Sequence, residues 1–402
     1  MRLFLASCVL LLSTAMAEDR DVLPDTAAPI SYKIEIAPDA AAMTFSGTVE
    51  IALEVKTATD KLTLNANDIE IDSVTLSGVD AKPAISFDKK RQQVTFAYPS
   101  AIAPGAHTLA IAYRGKIFET SSGLFATPYT DNGVKKVMLT TQFEPGDARR
   151  LAPMWDEPSA KAVFEMSLVV PADQETLSNT SVVSTEPVAG GKKRVRYAPT
   201  PKMSSYLLFV AAGELERITK VTDGVEMGVV TRKGDVERGR YALEISGPLL
   251  SYYNDYFGQK YPLSKMDHIA APGAGGFGAM ENWGAIFYFE SALLVDPKLT
   301  TEADRQRIYG TIAHEMAHQW FGDLVTMSWW DDLWLNEGFA SWMQKKAADH
   351  FYPEWKTGLQ AIRSQQEAMK LDGLVSTHPV VQHVKTIDDA ESAFDAITYQ
   401  KG

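Results

Sequence analysis

Hydrophobic and polar residues alternate in short runs between positions 30 and 215, and Pro, Gly, Asp and Asn separate the runs. Because successive side chains of a strand point to opposite faces, this alternation predicts strands with one buried face. The runs lie at 32–36, 48–55, 69–71, 93–96, 108–113, 137–140, 164–170, 194–197 and 205–210. We therefore predict an all-β domain, a sandwich or saddle, over residues 18–216.

The periodicity changes after residue 214. Hydrophobic residues then recur with the helical period at 236–257, 301–321 and 336–350, and two extended segments lie at 266–271 and 285–289. Thr301-x-x-Asp304 is a helix-start signal before the second helix. We therefore predict an α+β domain over residues 217–402. The last residues carry no stop signal, so we expect this domain to be truncated at its C-terminus.

The first seventeen residues have the layout of a secretory signal. An arginine at position 2 precedes an apolar run at 3–12, and small residues lead to Ala17 as the cleavage site. A membrane anchor is the alternative, but the run is much shorter than the ~20 residues that span a bilayer. We expect export to a bacterial periplasm or the extracellular medium, without membrane insertion after cleavage. Cys8, the only cysteine, would be lost with the signal.

Composition narrows the class of partner. The chain has 402 residues, of which 45% are hydrophobic and 22% charged, and its net charge is -12. Such a chain can form two domains with real cores. The negative charge argues against nucleic acid as a partner, because nucleic-acid binding needs basic patches. Oligomeric state is left open.

The segment His314-Glu315-x-x-His318 is the strongest chemical signal in the chain. On a helix, two histidines four residues apart project from one face, so both can bind one metal ion. Glu337 follows in a second predicted helix as a third ligand, and three protein ligands leave a fourth position open, which is typical of a catalytic zinc. The alternative is that the two histidines are ordinary surface or core residues that bind no metal. We predict one Zn²⁺ per chain, with Asp331 and Asp332 as further candidates that orient a zinc-bound imidazole.

A second constellation is Gly278-Ala279-Met280-Glu281-Asn282, a small-residue stretch that carries one acid and leads into an extended segment. Glycine permits close approach of another backbone. One interpretation is an edge that pairs with an extended peptide substrate. The alternative is a loop that packs under the zinc helix with an exposed glutamate.

These two motifs resemble those of the aminopeptidase N family of zinc metallopeptidases, in the gluzincin group. The resemblance extends through 141–145, 156–158, 329–338 and 399–402. A departure lies at 152–155, where Ala-Pro-Met-Trp replaces a segment that is often Phe-Pro-Cys-Phe in relatives. The resemblance implies a saddle-shaped β domain, a thermolysin-like catalytic domain and further C-terminal regions. It also implies that Glu281 and Glu144 bind the substrate's α-ammonium, that Gln142 lines the first side-chain pocket and that Tyr399 stabilises the transition state.

The predicted function is therefore hydrolysis of the N-terminal peptide bond of peptides that have a free N-terminus. Glu315, beside the metal, is the predicted general base. Two alternatives stay open: a bifunctional enzyme like leukotriene A4 hydrolase, and a catalytically impaired homologue or fragment that binds peptides. The intact set of ligands, base and tyrosine argues against an impaired protein.

Overall fold

The computed structural model describes residues 20–402, so the predicted signal sequence lies outside the described residues. The strands of the first half are β1 (Ala27–Asp39), β2 (Thr44–Val55), β3 (Thr59–Asn65), β4 (Glu70–Leu76), β5 (Ala84–Asp88), β6 (Gln93–Ile102), β7 (Gly105–Lys116), β8 (Gly123–Asp131), β9 (Val134–Gln142), β10 (Val163–Pro171), β11 (Glu175–Ser178), β12 (Val182–Val188), β13 (Lys192–Tyr197) and β14 (Val210–Gly213).

The second half mixes strands and helices. Its strands are β15 (Leu215–Thr222), β16 (Val225–Arg232), β17 (Lys265–Ala271), β18 (Ala279–Met280) and β19 (Ala285–Phe289). Its α-helices are α1 (Arg240–Phe257), α2 (Glu290–Leu293), α3 (Glu302–His318), α4 (Trp334–Phe351), α5 (Thr357–Asp372), α6 (Ile387–Ser392) and α7 (Ala396–Gln400). None of the helices within residues 20–402 is long and apolar enough to cross a bilayer.

The first fourteen strands form three sheets. The largest has the order β12-β13-β10-β1-β2-β7-β4, and its only parallel pair within the described chain is β1 with β10. The other two have the orders β3-β6-β5 and β11-β14-β9-β8. Strand β2 shows why the alternation was informative, since Val49, Ile51, Leu53 and Val55 are buried while most of the intervening residues are exposed. The predicted all-β first half is confirmed.

The second half contains one five-stranded sheet with the order β15-β16-β17-β19-β18. Strands β16, β17 and β19 run parallel, and every residue of β17 and β19 is buried. Burial on both faces explains their nearly continuous apolar runs. The short strand β18 pairs antiparallel with β19 at the edge of the sheet. A helix-plus-sheet domain following the β-rich domain is confirmed.

Helix α3 begins where the sequence predicted. Thr301 is its N-cap, and Thr301 and Asp304 form a capping box in which each side chain accepts from the other's backbone N–H. The predicted helices at 236–257 and 336–350 correspond to α1 with its preceding 3₁₀ turn and to α4. The domain boundary at residue 216 stays a prediction.

The predicted strand at 205–210 is wrong. Residues Ser205–Leu207 form a 3₁₀ turn, and the strand begins only at Val210. The segment is buried on all sides, and side-chain hydrogen bonds such as that from Tyr206 OH to Gly322 O (3.1 Å) replace the strand ladder. The continuous run of apolar residues at 206–210 was therefore misleading at this position.

A buried ion pair fixes the loop that follows β9. The guanidinium of Arg149 donates to Asp156 Oδ2 through Nε at 2.9 Å and to Asp156 O through Nη2 at 3.0 Å. Asp156 also accepts from the Ser205 hydroxyl, and its N–H donates to Asn65 Oδ1. Because this carboxylate and guanidinium are almost fully buried, each depends on the other for compensation of its charge.

Replacing Asp156 with Ala should therefore lower the free energy of unfolding by about 3–5 kcal/mol, because Arg149 would keep a buried and unpaired charge. Urea denaturation followed by circular dichroism measures this change. The exposed pair of Arg114 and Asp72, 2.8 Å apart, is the control, and Asp72→Ala should change the free energy of unfolding far less, because water screens this pair. Equal effects of the two substitutions would contradict the interpretation.

Candidate active site

Helices α3 and α4 bring the three predicted metal ligands together. His314 and His318 occupy the last turns of α3, and Glu337 lies in the first turn of α4. Glu337 Oε2 is 3.1 Å from His314 Nε2 and 3.4 Å from His318 Nε2, and the two Nε2 atoms are 3.0 Å apart. Ligand atoms about 2.0–2.1 Å from one tetrahedral zinc stand roughly 3.3 Å from each other. The three atoms therefore have the spacing of a zinc-binding set.

The partners of the imidazoles also fit a metal site. His318 Nδ1 donates to the backbone oxygen of Phe321 at 2.9 Å. A carbonyl only accepts, so the proton lies on Nδ1 and the lone pair of Nε2 faces the metal position. The side chain of Gln344, on α4, forms a hydrogen bond with His314. Burial would raise the pKa of Glu337, but the two histidines hold it well below its usual range.

Asp331 and Asp332 were candidates for orienting a zinc-bound imidazole, and this prediction is wrong for Asp331. Its carboxylate pairs with Arg20 and accepts from the backbone N–H of Val384 at 2.8 Å. Asp331 thus fixes the segment that precedes α6. The imidazoles are oriented instead by Phe321 O and Gln344.

Another possible metal group consists of Glu281, Glu315 and His318. The nearest approach of Glu281 to His318 is 3.9 Å, between Oε1 and Nδ1. That nitrogen carries the proton that Phe321 O accepts, so it cannot bind a cation. The group with Glu337 is consequently the better metal site.

Two acidic residues lie beside this centre. Each has one carboxylate oxygen for which the described residues provide no hydrogen-bond partner. Among the described residues, neither Glu281 Oε1 nor Glu144 Oε1 has a partner, and both atoms are buried. Burial raises the pKa of Glu144, and the negative charges of Glu281 and Glu337 raise it further. The pKa of Glu281 is raised as well, chiefly by burial. A cationic group placed here would compensate both acids.

Glu315 follows the first ligand on α3 and is 6% exposed. Burial raises its pKa well above the ordinary value. The charge of His318 lowers this pKa, whereas the negative charges of Glu281 and Glu337 raise it further. Its carboxylate lies within 4.8 Å of the ligating atoms of His318 and Glu281. It can therefore exchange a proton with a molecule held between the metal and the acids.

Tyr399 enters the site from α7. Its ring stacks on that of His314 with a centroid distance of 6.1 Å, and its hydroxyl hydrogen-bonds to Glu337. Burial raises the pKa of this phenol well above 10. Tyr399 is therefore a protonated donor next to the metal ligands.

All these groups border one cavity of about 1230 Å³. Its lining includes the predicted residues Gln142, Glu144, Gly278, Ala279, Met280, Glu281, His314, Glu315, His318, Glu337 and Tyr399. Gln142 Nε2 is 3.6 Å from Met280 Sδ, so these two form one wall. Apart from Asp331 and Asp332, Asn282 is the one predicted site residue of the described chain outside this lining. It is fully buried, and its Nδ2 donates to Leu208 O.

Sequence reasoning missed the contribution of α6, whose Ile387, Asp388 and Glu391 also line the cavity. A signal was present, because Thr386-x-x-Asp389 forms a capping box at the start of this helix. The helix approaches the loop of Glu144 closely, and a Cβ on Gly146 would lie 2.4 Å from Ile387 Cδ1. Glycine at position 146 is therefore required for this packing.

Comparison with known proteins agrees with the geometry. Residues 28–207 match the peptidase M1 N-terminal domain, and residues 241–402 match the peptidase family M1 domain. Aminopeptidase N of Acetobacter pasteurianus is 45% identical over 80% of this chain and 90% of its own length. Aminopeptidase M1-A of Oryza sativa is 41% identical over 94% of this chain and 44% of its own length.

Puromycin-sensitive aminopeptidase of Caenorhabditis elegans is 40% identical over 94% of this chain and 41% of its own length. The chain thus spans less than half the length of the rice and nematode relatives. The matches to both domain models, together with the identity to the Acetobacter protein over nearly its whole length, establish that this chain belongs to peptidase family M1.

Proposed function

We propose that this protein is a zinc-dependent aminopeptidase that removes the first residue of peptides with a free N-terminus. The observation that carries this proposal is the pair of buried, unpartnered carboxylate oxygens of Glu281 and Glu144 beside a three-ligand metal site. An α-ammonium supplies the charge and the hydrogen-bond donors that these oxygens lack. The names of the relatives, which are aminopeptidases, agree with this function.

The distance between the acids and the metal site restricts cleavage to the first peptide bond. Glu281 Oε1 is 3.9 Å from Nδ1 of the ligand His318, the ring nitrogen that faces away from the metal, so this acid lies within one side chain of the metal position. One extended residue spans only about 3.3–3.6 Å, so a single residue fits between a bound ammonium and the metal position. A peptide bound by its interior would place an uncharged amide against the acids. The acids therefore select the chain terminus.

The base in this reaction is Glu315. When bound, zinc supplies a Lewis acid that acidifies a water molecule and polarises the scissile carbonyl. The carboxylate of Glu315 accepts the proton of the attacking water and then donates it to the leaving amine. Its carboxylate lies within 4.8 Å of ligand atoms of both His318 and Glu281, and this proximity suits both steps.

Tyr399 complements the developing charge. Attack on the carbonyl makes its oxygen negative, and a protonated phenol beside the metal ligands can donate to that oxygen. In the structure this hydroxyl bonds to Glu337, so a shift toward the substrate oxygen provides stabilisation only when charge develops.

Metal analysis tests the assignment of ligands and base. The purified protein should contain one zinc per chain, and His318→Ala should lose it because two ligands hold zinc poorly. Glu315→Gln should keep the zinc and lose about 10²–10⁴-fold in kcat, since only the proton transfer is removed. Elemental analysis and hydrolysis of aminoacyl p-nitroanilides measure both quantities. A folded wild-type protein without stoichiometric zinc would contradict the assignment.

Blocked substrates test the recognition of the N-terminus. N-acetylation of a peptide should abolish its cleavage, and Glu281→Gln should lower kcat/KM for the free peptide by about 10- to 100-fold through loss of a charge-assisted contact. Glu119→Gln is a matched control, because Glu119 lines the same cavity but is exposed. Equal cleavage of free and acetylated peptides would indicate an endopeptidase instead.

We also propose that the protein is exported, on the basis of the apolar run at 3–12 and the small residues before Glu18. Expression in a bacterium should give a mature chain that begins at Glu18 and is found outside the cytoplasm. Mass spectrometry of fractionated cells measures this N-terminus. Ala17→Arg should block cleavage, because the signal peptidase needs a small residue there. Retention of Met1 in a cytoplasmic wild-type protein would refute export.

A further inference from the structure

Tyr399 is held by a helix of only five residues. Helix α7 begins after its N-cap Asp395, and Asp395 Oδ1 accepts from the backbone N–H groups of Ile397 at 2.9 Å and Thr398 at 3.2 Å. The N–H of Tyr399 donates to Asp395 O at 3.2 Å. The backbone of Tyr399 is therefore tied directly to Asp395.

The other oxygen of the same carboxylate is held by a histidine. His378, in the segment between α5 and α6, donates from Nε2 to Asp395 Oδ2 at 2.7 Å. Its Nδ1 is 2.9 Å from the backbone oxygen of Pro379. Both partners are acceptors, so the ring satisfies them fully when both nitrogens carry protons. Partial burial lowers the pKa of His378, but these two bonds and the charges of Asp395 and Asp372 raise it above its usual value.

A helix this short depends on such contacts. Isolated helices of fewer than about 12 residues are marginal in water, because nucleation is costly. Buried Ile397 and Thr398 anchor one face of α7. Lys345 Nζ donates to Gln400 Oε1 at 2.9 Å near its C-terminal end. At the N-terminal end, the bond from His378 to Oδ2 of Asp395 adds to the two backbone bonds of Oδ1 and fixes the orientation of the carboxylate.

We propose that His378 is a positioning residue for the hydrolytic reaction: through the carboxylate of Asp395, it fixes the first turn of α7 and thereby the position of the Tyr399 hydroxyl. The inference rests on the proposed function, in which that hydroxyl meets the oxygen of the scissile carbonyl. His378 itself does not line the cavity in the described structure, so it acts only through α7.

This role predicts a specific kinetic effect. Tyr399 stabilises charge that exists only in the transition state, whereas the ground-state contacts come from Glu281 and Glu144. A misplaced hydroxyl should consequently lower kcat and leave KM nearly unchanged. Misplacement by about 1 Å can cost as much as 10²-fold in rate, and we expect about a tenfold loss because the other contacts of α7 remain.

The experiment is a double-mutant cycle in the zinc-loaded protein. His378→Leu should lower kcat about tenfold, and His378→Gln, which keeps one donor for Asp395, should lose less. In a Tyr399→Phe background, His378→Leu should cause no additional loss, because the group that it positions is already absent. His383→Leu is the matched control, since His383 is exposed in the same segment and should have no effect. An undiminished loss in the Tyr399→Phe background would overturn the proposal.

Hydrogen exchange provides a readout that does not depend on activity. Amides of residues 396–400 should exchange faster in His378→Leu than in the wild type or His383→Leu, while zinc content stays at one per chain. Unchanged exchange would overturn the positioning role even if kcat fell. Absence of hydrolysis by the zinc-loaded wild type would refute the proposed function and the catalytic effect of His378, whereas faster exchange would still establish its contact with α7.

Discussion

The concentration of carboxylates around one centre is the constraint on which the rest of this structure depends. Glu281, Glu315 and Glu337 are each at most 6% exposed, and Glu144 adds a fourth acid within their electrostatic reach. Ionised groups buried in this way cost several kcal/mol each unless cations or donors compensate them. Without a metal, the charge of His318 compensates part of this, but a histidine that binds a metal ion is neutral and no longer does so. A divalent ion and an ammonium can, so binding of both contributes to the stability of the folded state.

Such a centre needs rigid support, and part of it comes from the β-rich half. Tyr206 OH donates to Gly322 O at 3.1 Å and accepts from Asn336 Nδ2 at 3.2 Å. Lys161 Nζ donates to the backbone oxygens of Asp323 and Leu324. These contacts fix the connection between α3 and α4, and they hold the residue next to Glu337. The two helices therefore present their ligands at a set distance because the first domain packs against the loop between them.

The sequence could predict the parts of this site that depend on local periodicity. His314 and His318 share a face because they lie four apart on one helix, and the start of that helix is visible in its capping residues. The sequence also offered Glu337 as an acid on the following predicted helix, but its approach to the histidines depends on the packing of the connection between α3 and α4, which periodicity does not show. Asn282 is part of a contiguous motif but faces Leu208 rather than the cavity. No periodicity could be read there, because β18 has only two residues.

The two sides of the site differ in how they are held. The metal ligands lie on helices of 17 and 18 residues with many buried side chains. Tyr399 lies on the five-residue helix α7. The part of the chain before it is weakly buried: Ala368 is the only buried residue among those described in α5, and many side chains of the segment after α5 are exposed. Local stability follows buried apolar contacts, so the ligand side is the more stable one. Metal binding therefore rests on the hydrophobic core. Transition-state stabilisation by Tyr399 rests on two buried side chains of α7 and a few polar contacts, so the rate can fall while the metal site stays intact.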